Sequence, residues 1–183
     1  MKDIRECAEL YSTLLYKDYI FTLEGDISFK LCFKDGNFAH LLGLGKLKDI
    51  EQLQTQAQGK IYKDILNGDI SHNLICNSSK YSRIENRIQH FEEITNMLDA
   101  DKCKIIIDFD PTLVPNTELK NTEYVLYRHI KNGYAHFTIG NKGHGIYPET
   151  FFYENSKRYV NGQHLLDVHN IEVKEFRRKI HKL

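Results

Sequence analysis

The 183-residue sequence contains no tryptophan, only three prolines and no excess of either charge. Its 25 basic and 25 acidic residues give a formal net charge of zero. The chain therefore lacks the global basic field of many nucleic-acid-binding proteins, and a nucleic-acid site would have to be a local patch. No apolar run approaches the length of a membrane-spanning helix, and the polar N-terminal residues are not typical of a signal peptide. We therefore expect a cytoplasmic protein with no membrane partner.

The sequence also has no recognisable motif for a metal ion or a cofactor. It contains no His-Glu-x-x-His segment, no paired Cys-x-x-Cys and no acidic cluster. The four cysteines are scattered among apolar residues and lack the spacing of metal ligands. They are Cys7, Cys32, Cys76 and Cys103. We expect them to be buried free thiols in a reducing compartment, and we predict a protein that uses no metal and no cofactor.

Helical patterns come first along the chain, and strand patterns follow. In residues 1–100 apolar residues recur mostly at helical spacing, with a predicted hairpin at 19–33 and the longest amphipathic helix at 84–98. Residues 101–183 hold four strand candidates and a basic C-terminal segment. The candidates are 103–109, 123–130, 134–139 and 146–153. We expect one α+β domain over 1–183, in which N-terminal helices and a hairpin precede a roughly four-stranded antiparallel sheet.

The Asn-Gly pair at 132–133 separates two strand-like segments and predicts a two-residue hairpin, because a type I′ turn needs positive φ at both positions. In that register His129 faces His136, and Tyr127 faces Thr138. Strand alternation puts these four side chains on one face and apolar side chains on the other, which we expect helices to cover. The polar face is either the solvated side of a one-sided sheet or a site where two imidazoles transfer protons.

A ribonuclease that works without metal needs a base for the 2′-hydroxyl, an acid for the leaving 5′-oxygen and donors for the phosphorane charge. Arg83 and Arg87 lie four residues apart on one predicted helix face, and tyrosine rings can stack on bases of single-stranded RNA. The alternative is a solvated charged surface with ordinary aromatic packing. The substrate-binding candidates are Lys46, Arg83, Arg87, Tyr127, His129, Tyr153 and Tyr159.

Two separated segments carry a family resemblance. Residues 38–44 (Phe-Ala-His-Leu-Leu-Gly-Leu) form a His-Leu-x-Gly pattern. Residues 147–154 (Tyr-Pro-Glu-Thr-Phe-Phe-Tyr-Glu) form a Tyr-Pro-x-Ser/Thr-Phe-Phe pattern, and a Gly-Gln pair follows at 162–163. In this order and spacing, over about 21–168, the chain resembles a family of phage-associated nuclease domains. That family is grouped with the barnase, EndoU, colicin and RelE ribonucleases.

The resemblance implies a ribonuclease-like fold and nominates particular side chains. His40 matches the histidine of the first pattern, and Thr150 takes the Ser/Thr place in the second, where it would donate to a phosphate oxygen. The residues alone also allow a histidine bonded to a backbone carbonyl and a strand threonine bonded to a neighbour. With the hairpin histidine added, the catalytic candidates are His40, His136 and Thr150.

We therefore expect a metal-independent RNA endonuclease of phage or mobile-element origin. It would act as a toxin-like or counter-defence effector on structured RNA such as tRNA or a CRISPR guide RNA. A host ribonucleoprotein or a neutralising protein would be a further partner. The alternative is a non-catalytic binding module, such as an anti-CRISPR inhibitor that docks on a host protein or ribonucleoprotein, and the neutral net charge favours this alternative.

Overall fold

The computed structural model describes residues 2–142 and 145–176. Seven helices in this part of the chain precede most of the sheet. They are α1 (Ile4–Ser12), α2 (Asn37–Leu41), α3 (Glu51–Thr55), α4 (Gln58–Asn67), α5 (His72–Cys76), α6 (Glu85–Gln89) and α7 (Glu93–Met97). The strands are β1 (Lys17–Leu23), β2 (Ser28–Cys32), β3 (Ile105–Asp108), β4 (Thr122–Ile130), β5 (Gly133–Lys142), β6 (Gly145–Glu154) and β7 (His164–Glu175). Among the described residues no helix is long and apolar enough to cross a membrane.

The seven strands form one antiparallel sheet in the order β2-β1-β7-β3-β4-β5-β6. The predicted α+β class and N-terminal helices are confirmed, but the prediction of roughly four strands is wrong. The hairpin predicted at 19–33 is present as β1 and β2, and it belongs to the same sheet because β7 pairs with both β1 and β3. The antiparallel sheet therefore runs from the first hairpin to the edge strand β6.

Strand β7 was missed because its buried side chains do not alternate regularly. Leu166, Val168 and Ile171 are buried, and most of the intervening residues are polar and exposed. The register against β1 shifts between Thr22 and Leu23, which leaves an extra residue on β7. Such a bulge breaks the period of two on which strand prediction depends. The basic C-terminal segment begins within β7, and residues 177–183 lie outside the described residues.

The long amphipathic helix predicted at 84–98 is divided into α6 and α7. A turn over residues 90–92 separates them, although the predicted apolar stripe is buried along its whole length. Within that turn His90 stacks on Tyr153 of β6, with ring centroids 4.7 Å apart. The period of the apolar residues thus predicted which side chains are buried, but it did not predict that the helix would be interrupted.

The turn between β4 and β5 lies one residue earlier than predicted. Ile130 pairs with Gly133, so the turn residues are Lys131 and Asn132, and Lys131 has the positive φ of 46°. His129 therefore faces Tyr134 rather than His136, which instead faces Tyr127. Moving the turn by one residue changes the pairing by two positions, so the same side chains still share a face.

Away from the turn, both faces of this hairpin are covered, in contrast to the open polar face expected from sequence; nearer the turn His129 is exposed and Tyr134 is half-buried. The helices and the first hairpin cover one face, in a large core that contains Leu126 and Phe137. A smaller apolar cluster lies on the face of His136 and Thr138, both of which are fully buried. This smaller cluster consists of Ile107, Phe109, Val114, Leu119, Val125 and Tyr159, with Tyr127, Phe152 and Val160 packed against it.

Candidate active site

A cleft of about 830 Å³ opens where the helices meet the edge strand β6. α2, the turn after it and α6 contribute residues to the cleft from the helical side, and β6 with the segment after it contributes from the other side. The predicted site residues that line the cleft are His40, Lys46, Arg83, Arg87, Thr150, Tyr153 and Tyr159. These residues are far apart in the sequence, and the fold brings them together in one concave surface.

Arg87 connects the two sides of the cleft. It rises from α6 and is 9% exposed. Its Nη1 atom donates to the carbonyl oxygen of Leu41 at 3.1 Å and to the Thr150 hydroxyl at 2.8 Å. Burial lowers the pKa of Arg87 to about 10, and Glu118 opposes this shift. The guanidinium therefore remains charged at neutral pH, and it holds α2, α6 and β6 in a fixed arrangement.

The glycine of the His-Leu-x-Gly pattern makes room for this arginine. Gly43 has a φ of +71°, which glycine adopts without steric cost. A Cβ atom at this position would lie 3.2 Å from the Arg87 guanidinium. His40 occupies the last turn of α2, and its carbonyl oxygen accepts from the Gly43 N–H at 2.9 Å. The exposed His40 lines the same cleft as the arginine that Gly43 accommodates.

In a chain that is neutral as a whole, the cleft brings four basic side chains together with three carboxylates: Lys46, Arg83, Arg87 and Arg158 with Glu118, Glu149 and Glu154. Partial burial, the charge of Arg87 and, more weakly, that of Arg83 lower the pKa of Lys46, while Glu118 opposes this shift. The lowered pKa of Lys46 thus reflects repulsion by the two arginines in addition to burial. A bound phosphate would relieve the repulsion. The cleft thus supplies the local patch that the composition requires of a nucleic-acid site.

A β-bulge turns Glu149 toward this cleft. Thr138 pairs with Thr150 and Ile139 pairs with Pro148, so Glu149 is an extra residue on β6. Its Oε2 atom accepts hydrogen bonds from the hydroxyls of Thr122 and Thr138, the latter at 3.2 Å. The sequence analysis missed this carboxylate. Pro148 was the available signal, because proline within a sheet is confined to edge strands and bulges, and bulges often occur beside active sites.

Buried threonines hold the bulge in place. Thr122 is 7% exposed and Thr138 is fully buried. The Thr138 hydroxyl donates to Glu149 and accepts from the backbone N–H of Thr150 at 3.1 Å, which satisfies a donor that the bulge removes from the regular ladder. The register of β4 also shifts between Thr122 and Tyr124, directly across β5 from the bulge in β6. The position of the Glu149 carboxylate is therefore set by the sheet.

His136, the second predicted catalytic histidine, does not line the cleft. Its ring is fully buried and stacks on Phe152 at 4.8 Å between centroids. Neither ring nitrogen has a hydrogen-bond partner in good geometry among the described residues. Burial lowers the pKa of His136 to about 4, and the backbone of Tyr134 weakly opposes the shift. The expectation of an open face is corrected here, because Phe152 and Tyr159 cover this imidazole.

Tyr127 and His129 also lie outside the cleft, on the outer face of the β4–β5 hairpin. Tyr153 lies at the cleft, where its ring stacks on His90. Arg158, which the sequence analysis did not select, also lines the cleft and donates to the Tyr159 hydroxyl at 2.7 Å. The aromatic candidates thus divide into two groups, one at the cleft and one beyond it.

The Gly-Gln pair of the sequence pattern has a structural role. Gly162 has a φ of +75°. The Gln163 side chain accepts from the Asp110 N–H at 2.8 Å and donates to the Asp110 carbonyl oxygen at 3.0 Å. These two bonds attach the segment after β3 to the start of β7. Through this attachment the smaller apolar cluster, which includes the cleft residues Leu119 and Tyr159, is held closed.

Within the described ranges, no three His, Cys, Asp or Glu residues lie close enough together to hold a metal ion. A cleft that combines a buried arginine and exposed cations with a histidine and a carboxylate suits the binding and cleavage of a phosphodiester. Residues 3–174 match a family model described as phage-Barnase-EndoU-ColicinE5/D-RelE like nuclease4, and the chain belongs to this family. Searches of curated proteins and of solved structures gave no match.

The family match confirms the resemblance carried by residues 38–44 and 147–154. The fold places both segments at the cleft. The first segment supplies His40 and Gly43, and the second supplies the edge strand with Glu149 and Thr150. The two parts of the sequence pattern therefore meet at one cleft.

Proposed function

We propose that the protein is an RNA endonuclease that works without a metal ion and uses this cleft as its active site. The observation that carries the proposal is the bulge that turns Glu149 into a cleft already lined by His40 and Arg87. A carboxylate and an imidazole can exchange protons with ribose and leaving oxygens, and the buried Arg87 with the exposed Lys46 can hold the phosphate between them. The nuclease family supports the reaction class.

Each group is assigned a role from its place in the cleft. Glu149 accepts the proton of the 2′-hydroxyl, and the 2′-oxygen then attacks phosphorus. The bond from phosphorus to the 5′-oxygen breaks, and His40 donates a proton to that oxygen. The products are a 2′,3′-cyclic phosphate and a free 5′-hydroxyl. Arg87 and Lys46 balance the phosphorane charge in this scheme.

Thr150 fits the donor role predicted from sequence. Its Oγ1 atom accepts a hydrogen bond from Arg87, so its own proton remains available for a phosphate oxygen. His136 has no part in this proposal. Its ring is covered by Phe152 and Tyr159, and no described polar group is in position to relay a proton to it. We assign His136 to packing behind the cleft.

The function is tested by incubating the purified protein with bulk RNA, tRNA and guide RNA in the presence of a chelator. We expect cleavage that leaves 2′,3′-cyclic or 3′-phosphate ends, detected as 3′ ends that can be ligated only after acid opens any cyclic phosphate and a phosphatase removes the monoester. A strict requirement for magnesium would contradict the mechanism. If none of the three RNAs were cleaved, the proposed enzymatic activity would be contradicted.

The biological role that we propose is a toxin-like or counter-defence effector of phage or mobile-element origin, with structured RNA such as tRNA or guide RNA as the target. The neutral net charge favours one alternative, a binding module that docks on a host protein or ribonucleoprotein. The same incubation separates the two functions. A binding module would associate with an intact ribonucleoprotein and leave its RNA uncut, whereas an endonuclease would shorten it.

A further inference from the structure

We infer that the outer face of the β4–β5 hairpin binds unpaired nucleobases of the RNA segment that flanks the cleaved bond. Tyr134 is the stacking platform of this second subsite, and Lys157 is its phosphate contact. This inference rests on the proposed function, because it places more of the same RNA strand on the protein. It adds a requirement that the cleft alone does not impose, namely single-stranded RNA beside the cleavage site.

Tyr134 lies at the centre of a group of rings on this face. His129 is 5.1 Å from it and Tyr127 is 6.5 Å from it, measured between ring centroids. His129 is exposed, while both tyrosines are half-buried and therefore keep part of their rings open to solvent. Stacking of a base on such a ring is largely independent of base identity, because every base has a π-face. The group is thus suited to unpaired RNA of mixed sequence.

This face is continuous with the cleft. Tyr134 pairs with Glu154 across β5 and β6, and Glu154 lines the cleft. Lys157 and Arg158 are adjacent in the chain but lie over different rings. The Lys157 Nζ atom is 5.9 Å from the centre of the Tyr134 ring, and Arg158 is 4.6 Å from the Tyr159 ring in the cleft. An RNA strand that leaves the cleft past Arg158 reaches Lys157 and Tyr134 next.

The chemistry of the face selects single strands rather than duplexes. Rings that present their faces can stack only on bases that are not already stacked and paired in a helix. Lys157 is exposed and provides one mobile positive charge for the backbone. Neither Tyr134 nor Lys157 is part of the machinery that we assign to proton transfer or to the scissile phosphate. The two subsites can therefore be tested separately.

The absence of tryptophan makes a direct test available. A Tyr134→Trp variant would carry the single tryptophan of the protein, and stacking on a base quenches indole fluorescence. We would titrate it with a mixed-sequence single-stranded RNA of about ten nucleotides and with the corresponding duplex. The matched control is Phe176→Trp, because Phe176 is 49% exposed at the end of β7. We expect quenching by the single strand in Tyr134→Trp, little quenching by the duplex, and none in Phe176→Trp.

A second variant tests the subsite even if Tyr134→Trp fails to fold. Lys157→Ala removes an exposed side chain, so we expect it to fold normally, to bind the single strand more weakly at low salt, and to reduce the salt slope of log K by about 0.7. Equal quenching by the duplex would overturn the single-strand requirement. Absence of quenching, with an unchanged Lys157→Ala titration and intact RNA cleavage, would overturn the subsite and leave the nuclease. If wild-type protein neither binds nor cleaves RNA, both proposals fail.

Discussion

Arg87 and His136 are both buried and both ionisable, but their surroundings give them opposite charge states. Arg87 has two oxygen acceptors within 3.1 Å and stays protonated despite the loss of water. His136 is surrounded by aromatic rings, and burial favours its neutral form. The Arg87 guanidinium thus keeps its charge at the cleft, whereas the neutral ring of His136 packs against Phe152 and Tyr159.

The shifted pKa of His136 predicts that stability depends on pH. The folded protein keeps this ring neutral down to about pH 4, whereas the unfolded chain takes up a proton below its ordinary pKa of 6.5. The unfolded state therefore binds more protons in this window, and stability falls as the pH is lowered from 6.5 to 4. The group should contribute a loss of about 3 kcal/mol to the free energy of unfolding.

Urea denaturation at several pH values measures this contribution by difference, because other groups also titrate. We expect His136→Phe to remove the loss between pH 6.5 and 4 that the wild-type protein shows, since phenylalanine preserves the stack on Phe152. His129→Phe, which changes an exposed histidine on the same hairpin, should keep the wild-type loss. Parallel pH profiles for wild type and His136→Phe would contradict the buried neutral ring.

At the scale of elements, bulges decide what the sheet presents to the cleft. The bulge in β6 places Glu149 among the cleft residues, and the bulge in β4 faces it across β5. The close approach of Tyr153 to Gly133 restrains the other end of β6. The edge strand β6, which carries Glu149 and Thr150, is thus restrained by the bulge and by the contact with Gly133. Bulges and glycine contacts of this kind leave only weak marks on the residue pattern.

Gly133 offers a test of how the hairpin is built. A Cβ atom at this position would lie 2.5 Å from the Tyr153 hydroxyl and 2.6 Å from the carbonyl oxygen of Glu154. We expect Gly133→Ala to lower the free energy of unfolding by about 1–3 kcal/mol, because backbone and ring would have to move. Lys131→Gly should be neutral or stabilising, since Lys131 holds the positive φ.

Thermal melts of both variants check the position of the turn as well as the contact. The type I′ turn predicted at 132–133 would make Gly133 sensitive and Lys131 ordinary. The observed turn at 131–132 makes Lys131 the strained residue and Gly133 a packing contact. If Lys131→Gly were strongly destabilising, the turn would not be where the structure has it, and if Gly133→Ala were neutral, the close contact with Tyr153 would be absent.

Sequence periodicity predicted local features better than the way they combine. The apolar stripe over 84–98 and the shared face of His129 and His136 were predicted correctly, because burial and alternation follow from spacing. The break at residues 90–92, the strand β7 and the orientation of Glu149 were not predicted. Each depends on contacts between segments far apart in the chain or on a bulge that shifts the period.

The candidate site likewise contains residues that the sequence predicted and one that it did not. His40 and Thr150 were found through the family pattern, and Arg87 was found through its helical spacing with Arg83. The structure adds the reason for their proximity, since Arg87 donates to both Leu41 and Thr150. The role proposed for Glu149 could not be predicted from the sequence, because in a regular strand its side chain would not point into the cleft.

On the scale of the whole molecule, a neutral chain concentrates positive charge where its two structural parts meet. The helices supply Lys46, Arg83 and Arg87, and the sheet supplies the edge strand with its carboxylate. A chain with zero formal net charge can in this way offer a local site for a polyanion. The same junction carries both halves of the family pattern, so the central claim is that this cleft is the site of RNA cleavage.

The most direct test of that claim is the single-turnover rate of RNA cleavage in chelator for Glu149→Gln, compared with Glu154→Gln. Both glutamates line the cleft, but Glu154 is paired with Arg158 at 2.9 Å and has no proton to transfer in our proposal. We expect Glu149→Gln to lose about 100-fold or more, as for a lost general base, and Glu154→Gln to stay within a few-fold of wild type. A rate for Glu149→Gln equal to that of Glu154→Gln, with circular dichroism showing both variants folded, would contradict the account.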